Sequence, residues 1–190
     1  LDAQYPDFGF LMKEFYEGSL LYEISTREVW DKAAKDEEGL AKYFKKNKKK
    51  YRYEEPVYQG LVVHCLNDDV LRQVQKVIKK QPRKEWTKVI RESLNSDSLM
   101  QVRMVRGPFK AGKNAYADYY AFGQGERPDT VAGFPVTGVV GKLQKKGPDT
   151  YEDVRGVVTA DYQNHLEQLW VKELRAKYPV ILYPEVLATV

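Results

Sequence analysis

Residues 60–69 read GLVVHCLNDD, and the fold of the chain turns on how that stretch is taken. It holds the sole cysteine, Cys65, beside one of two histidines, His64. An imidazole next to a thiol raises the question of a nucleophile and its base. From Leu61 to Val63, however, apolar residues occupy both parities, which describes a strand covered on both faces. Neighbours on a strand point to opposite faces, so His64 and Cys65 cannot pair with each other. The stretch is the end of a buried strand, and Cys65 is a small buried hydrophobe. Asn67 or Asp68 then caps a helix whose stripe is Val70, Leu71, Val74, Val77 and Ile78.

Working outward, residues 57–66 form the strand. Pro82 breaks the following helix, and Trp86, Val89, Ile90 and Leu94 mark another. Residues 99–106 (LMQVRMVR) read as a strand, Gly107 and Pro108 as a turn, and residues 115–122 (AYADYYAF) as a further strand. Residues 134–143 (FPVTGVVGKL) make a last strand, weakened by Gly138 and Gly141. Upstream, Phe8, Leu11, Met12, Phe15 and Ser19 keep helical spacing, widened by Leu20, Leu21 and Ile24 and continued by Trp30, Ala33 and Ala34. A second helix starts after Asp36 and carries Leu40, Tyr43 and Phe44. Downstream, Thr150 and Asp153 make a capping box that opens the clearest helix. Its stripe is Val154, Val158, Tyr162, Leu166, Leu169, Trp170, Leu174 and Tyr178. Pro179 ends it, residues 180–183 read as a short strand, and Pro184 starts a final helical turn. The end helices carry stripes that the central block cannot cover. The expected architecture is α+β, a discontinuous helical domain of residues 1–53 and 150–190 around an inserted domain of residues 54–149. In it Trp170 and its stripe dock on Phe15 and its neighbours.

Composition narrows the function. The chain has 190 residues, 43% hydrophobic and 31% charged, enough for a real core. No run approaches the roughly 18 apolar residues that span a bilayer. Lys and Arg outnumber Asp and Glu by 31 to 27, a net charge of +4. Residues 45–53 (KKNKKKYRY) interleave cations with aromatics and could track phosphates and stack bases. The same run suits a solvated helix end, where lysine meets the negative pole of the dipole. The near balance of charge favours the second reading and argues against a nucleic-acid partner. No Gly-rich phosphate loop, metal-ligand spacing or Ser/His/Asp set occurs, so neither a metal nor another cofactor is expected. One cysteine excludes an intrachain disulfide. The opening LDAQYPDF lacks a Met, a basic start and an apolar segment, so it reads as a fragment or processed product.

Residues 28–51 (EVWDKAAKDEEGLAKYFKKNKKKY) and 151–180 (YEDVRGVVTADYQNHLEQLWVKELRAKYPV) flank a strand, helix, helix, strands block. Together these resemble SurA-type periplasmic parvulin chaperones, from about Tyr5 to Leu187. The resemblance implies a cell-envelope folding factor of the periplasm, acting on unfolded outer-membrane or secreted proteins, with upstream domains in a longer protein. It also implies that the inserted domain is parvulin-like, a prolyl-isomerase type. The isomerase chemistry is not matched. The family's first-strand histidine falls near Leu61, its last-strand histidine position holds Val139, and its glycine-rich turn is reduced to residues 106–109 (RGPF). Phe109 alone loosely echoes an apolar pocket residue.

Holding unfolded clients takes adaptable apolar and aromatic surface, which the 14 tyrosines can supply. The expected client contacts are Met104, Phe109, Tyr116, Tyr119, Tyr120 and Phe122. The alternative is an active isomerase with a non-standard residue set, for which His64 is the candidate catalytic residue, with Tyr119 near Phe109.

Overall fold

The computed structural model describes residues 7–188, so Tyr5, where the resemblance begins, lies outside the described residues. The chain is α+β, helices with a three-stranded antiparallel sheet. It divides into two compact units, Asn47–Val154 and a helical unit of Leu1–Lys46 with Arg155–Val190.

In the unit Asn47–Val154, β1 (Val57–Cys65) is buried along its whole length. It lies between β2 (Val102–Lys110) and β3 (Val136–Gln144) in the order β2-β1-β3. Its odd-numbered residues Leu61, Val63 and Cys65 pack on α4 (Asp68–Ile78) and α5 (Trp86–Leu94), through Val70, Val74, Ile78, Ile90 and Leu94. Each such side chain contributes about 1.5–3 kcal/mol by leaving water. Its even-numbered residues Tyr58 and Val62 pack with Phe109 and Ala117. Two covers explain why apolar residues fill both parities. Asn67 starts α4, its Oδ1 accepting from the Val70 amide at 3.0 Å.

Three glycines cross the sheet in one row, Gly60 facing Gly107 on one side and Gly141 on the other. A Cβ on Gly60 would fall on the Val140 carbonyl. The Phe109 ring lies over Gly107, 3.2–3.3 Å from where a Cβ would stand, so it fills the space that glycine leaves.

Two expectations fail here. Gly107 and Pro108 do not turn the chain, because β2 runs through them to Lys110 with Pro108 opposite Gln59. As an edge strand, β2 tolerates the missing N–H of proline. Residues 115–122 are helical, α6 (Ala115–Ala117) running into a wide turn at Asp118–Phe122. Asn114 caps this helix, its Oδ1 accepting from the Ala117 amide at 2.9 Å. Ala117 and Ala121, four apart, turn their small side toward the sheet cluster.

The helical unit contains α1 (Phe8–Ser25), a wide turn Thr26–Trp30, α2 (Asp31–Lys35), α3 (Glu37–Asn47), α7 (Arg155–Lys177) and α8 (Pro184–Leu187). α7 packs on the wide turn and on α2. Its buried residues are Val158 and Tyr162, and the Tyr162 hydroxyl donates to Asp36 Oδ2 at 2.7 Å. Asp36 in turn caps α3, its Oδ1 accepting from the Gly39 amide at 2.8 Å. A Cβ on Gly39 would strike both the Asp36 carboxylate and the Tyr162 hydroxyl. The Gly39 amide, then the Tyr162 hydroxyl, hold the Asp36 carboxyl below its ordinary value, while burial, then Asp36, push the Tyr162 phenol up to about 12.

Docking of Trp170 on Phe15 is not what the unit shows. Phe15 is 72% exposed and α1 buries no residue, while the buried apolar contacts fall to Val29, Ala33, Leu40 and Phe44. The apolar residues of α1 run round its circumference, so no single stripe faces α7. Residues 180–183 form no strand and are exposed.

Candidate functional site

The even-numbered face of β1 gathers most of the residues singled out from sequence. His64 is 6% exposed, its Nδ1 lies 2.9 Å from Thr137 Oγ1, and the Tyr116 ring meets it edge-on at 4.7 Å. Burial, then the Arg103 guanidinium, hold the imidazole below its ordinary value of 6.5, so at neutral pH it is uncharged. Phe109 is buried in the same layer, with Tyr116 and Phe122 half-buried against it. Tyr116 donates its hydroxyl to the Asp129 carbonyl at 3.1 Å. Burial raises the Tyr58 phenol to about 12.

Tyr119 is exposed, its ring edge-on to half-buried Tyr120 at 5.0 Å. Met104, opposite Val63, belongs to the other face of the sheet and packs on the α4–α5 cluster. The structure therefore brings His64, Phe109, Tyr116 and Phe122 into one packed layer. It sets Met104 apart and leaves Tyr119 at the surface. The layer is closed, because its members cover one another.

An open site lies on the face that carries Met104. A cavity of about 540 Å³ has Leu61, Pro108, Pro82 and Trp86 as its apolar lining. The indole N–H of Trp86 donates to the Gln81 carbonyl at 2.9 Å, which satisfies its polar edge. Cations Arg83, Lys84 and Arg106 stand round the cavity with Glu152 and Asp153.

One wall is held by a polar network centred on Asp153, whose side chain is 5% exposed. Its Oδ1 accepts from Arg83, and its Oδ2 from Gln144 Nε2 at 2.7 Å and the Asp149 amide at 3.0 Å. The Thr150 amide donates to the same oxygen at 3.3 Å, which is the back half of the capping box. Sequence reasoning found Asp153 as a cap but missed its pairing with Arg83, which no local pattern signals across 70 residues. It also missed Trp86 as a lining residue, having placed it on a helix stripe.

This cavity offers an extended chain an apolar floor with charged groups round it. Its lining holds no histidine, cysteine or serine. Cys65 is buried, and burial raises its thiol to about 11, which leaves it unreactive. Among the described residues no group of three His, Cys, Asp or Glu side chains could hold a metal ion. None of their helices is long and apolar enough to cross a membrane.

The helical unit presents a different surface. Along α1, Phe10 is 76% exposed, Leu11 62%, Phe15 72%, Tyr16 63% and Leu21 61%. With Phe8, Met12, Leu20, Tyr22 and Ile24, also exposed, the helix offers on the order of 1,000 Å² of largely apolar surface. A typical monomer exposes no contiguous apolar patch beyond roughly 300–600 Å².

No family model, curated protein or solved structure matches the chain.

Proposed function

We propose that this chain is a folding factor of the bacterial cell envelope that holds unfolded polypeptide, with chaperone work ahead of catalysis. The observation that carries the reading is α1, a helix with apolar residues on every side and none buried. A helix of that kind needs cover on more than one face, and an unfolded chain rich in apolar side chains supplies it. The resemblance of residues 28–51 and 151–180 supports a SurA-type identity. On that basis the helices of the two chain ends make one domain around a parvulin-like insert, the location is the periplasm, and the clients are outer-membrane or secreted proteins. Upstream domains of the same longer protein are a further partner.

The test is the suppression of aggregation of a chemically unfolded client by the chain at equimolar ratio. Wild type should suppress it, and a Phe10→Ser, Phe15→Ser, Leu21→Ser variant should lose most of that effect while far-UV circular dichroism stays unchanged. Equal protection by the variant would remove the reading.

A second reading is prolyl isomerisation, favoured by the Trp86–Pro108 cavity, whose volume of about 540 Å³ suits a small ligand. The barrier of about 18–20 kcal/mol can fall without acid or base, given a dry apolar seat that favours the twisted amide. His64 is closed off under Tyr116, so any activity should survive His64→Ala and fall with Trp86→Ala. A protease-coupled proline-peptide assay decides: the chaperone reading expects no acceleration over the uncatalysed rate. A robust rate abolished by His64→Ala overturns both that expectation and the placement of the site.

A further inference from the structure

The basic run of residues 45–53, taken from sequence as a solvated helix end, has a second half elsewhere in the chain. In the unit Asn47–Val154, a cleft of about 740 Å³ is lined by Lys48, Lys49 and Arg52 from one segment and by Lys145 and Lys146 from another. The one carboxylate in the lining, Asp149, already accepts from Lys142 Nζ at 2.8 Å, which holds its carboxyl below the ordinary value. Lys48 Nζ donates to the Asp149 backbone carbonyl at 3.4 Å. Convergence of five cations is unfavourable in itself, since like charges repel.

The fold nevertheless fastens the two segments together. The Tyr53 amide donates to the Lys146 carbonyl at 3.3 Å. At Gly147 a Cβ would stand 3.2 Å from the Tyr51 carbonyl oxygen and 3.4 Å from Arg52 Cα, so glycine lets the backbones meet. Pro148 is fully buried beneath them. The cations are therefore arrayed on a fixed frame.

We infer that this cleft is a binding site for an acidic stretch of polypeptide, a run of Asp and Glu side chains. The choice of a peptide over a nucleic acid comes from the aromatics of the run. Tyr51 is 7% exposed, and Tyr53, half-buried in the cleft lining, has its hydroxyl tied to Gln59 Nε2 and Gln144 Oε1, each at 3.3 Å. One half-buried ring is not the succession of platforms on which bases stack, which is what single-stranded nucleic acid requires beyond charge. Carboxylates need only cations with directed N–H groups, and Arg52 supplies a planar fork for them. The inference rests on the polypeptide-binding reading only in naming what brings the carboxylates. It gives the chain a charge-reading site in addition to the apolar helix.

Fluorescence anisotropy of a labelled oligoglutamate peptide against the whole chain tests it, with an oligoglutamine peptide and oligothymidylate as competitors. Oligoglutamate should bind, oligoglutamine should not compete, and affinity should fall about tenfold or more from low to physiological salt. Lys145→Glu with Lys146→Glu should abolish binding yet leave the suppression of client aggregation through α1 in place. Should that reversal unfold the unit, Lys49→Gln with Lys146→Gln carries the same test. The inference is overturned by competition from oligoglutamine, by binding that survives both pairs, or by oligothymidylate binding more tightly than oligoglutamate. Loss of aggregation suppression in the α1 variant with oligoglutamate binding intact supports two separate sites. Absence of suppression in wild type, with oligoglutamate bound, sinks the chaperone reading and not the cleft.

Discussion

Removing the Asp153 carboxylate should cost the sheet-bearing unit about 3 kcal/mol of stability while leaving its apolar core intact. The side chain is 5% exposed and takes hydrogen bonds from Arg83, Gln144 and the amides of Asp149 and Thr150. An isolated hydrogen bond contributes about 0.5–1.5 kcal/mol net, and one to a charged group about 1.5–3 kcal/mol. The larger cost is what deletion strands. Gln144 is 3% exposed and cannot find water without local opening, whereas the Arg83 side chain, 29% exposed, can swing outward.

Breaking a buried pair costs about 3–5 kcal/mol, and the partial exposure of Arg83 places Asp153→Ala near the lower end, about 3 kcal/mol. Asp153→Asn keeps the shape but faces a donor with a donor, so about 2 kcal/mol is expected. A double-mutant cycle with Arg83→Met should return a coupling of about 1–2 kcal/mol. Urea unfolding followed by circular dichroism measures the loss, and hydrogen exchange at the Thr150 and Asp149 amides reports the wall itself. Less than about 1 kcal/mol for Asp153→Ala, with unchanged exchange and no coupling, would show that the network does not hold the cavity wall.

Tyr162→Phe should destabilise the helical unit by about 2 kcal/mol, because it withdraws a donor from a carboxylate. Its pH profile is also distinctive. The Asp36 carboxyl sits below its ordinary 3.8, so its contribution is present above that value and is lost as pH falls through the folded value. The Tyr162 phenol sits at about 12 against an ordinary 10.0, so its contribution is full below 10.0 and is lost as pH rises through about 12. The variant should therefore flatten the alkaline flank of a thermal-unfolding profile and shrink the acid flank without removing it, since the Gly39 amide still faces Asp36. In the sheet, Gly60→Ala should prevent native pairing of β1 with β3, because the new methyl meets the Val140 carbonyl. Gly18→Ala in the middle of α1, where nothing stands within 4 Å, should gain about 1 kcal/mol of helix stability. Thermal melts of the two variants should separate in opposite directions.

The parts legible in the sequence are those whose cause lies within a few residues. Asn67, Asp36 and the Thr150–Asp153 box cap helices by bonds that span three residues at most, so their chemistry is written next to the element it starts. The doubly covered β1 was legible for a similar reason, since burial on both faces demands apolar residues at both parities.

Residues 115–122 were not legible, because AYADYYAF alternates well enough for a strand and repeats well enough for a helix. The Asn114 cap and the packing of Ala117 and Ala121 decided it. Nor could spacing say that Phe109 would lie over Gly107 inside a closed layer while Met104 faced the other way. That follows from the register of β2 against β1, and a slip of one residue would exchange the faces. The Arg83–Asp153 pair and the meeting of Lys48, Lys49 and Arg52 with Lys145 and Lys146 are further from reach. Local preference fixes the caps and the buried strand, but charges far apart in the chain meet only once the sheet has closed the loops between them, and that is a property of the tertiary fold alone.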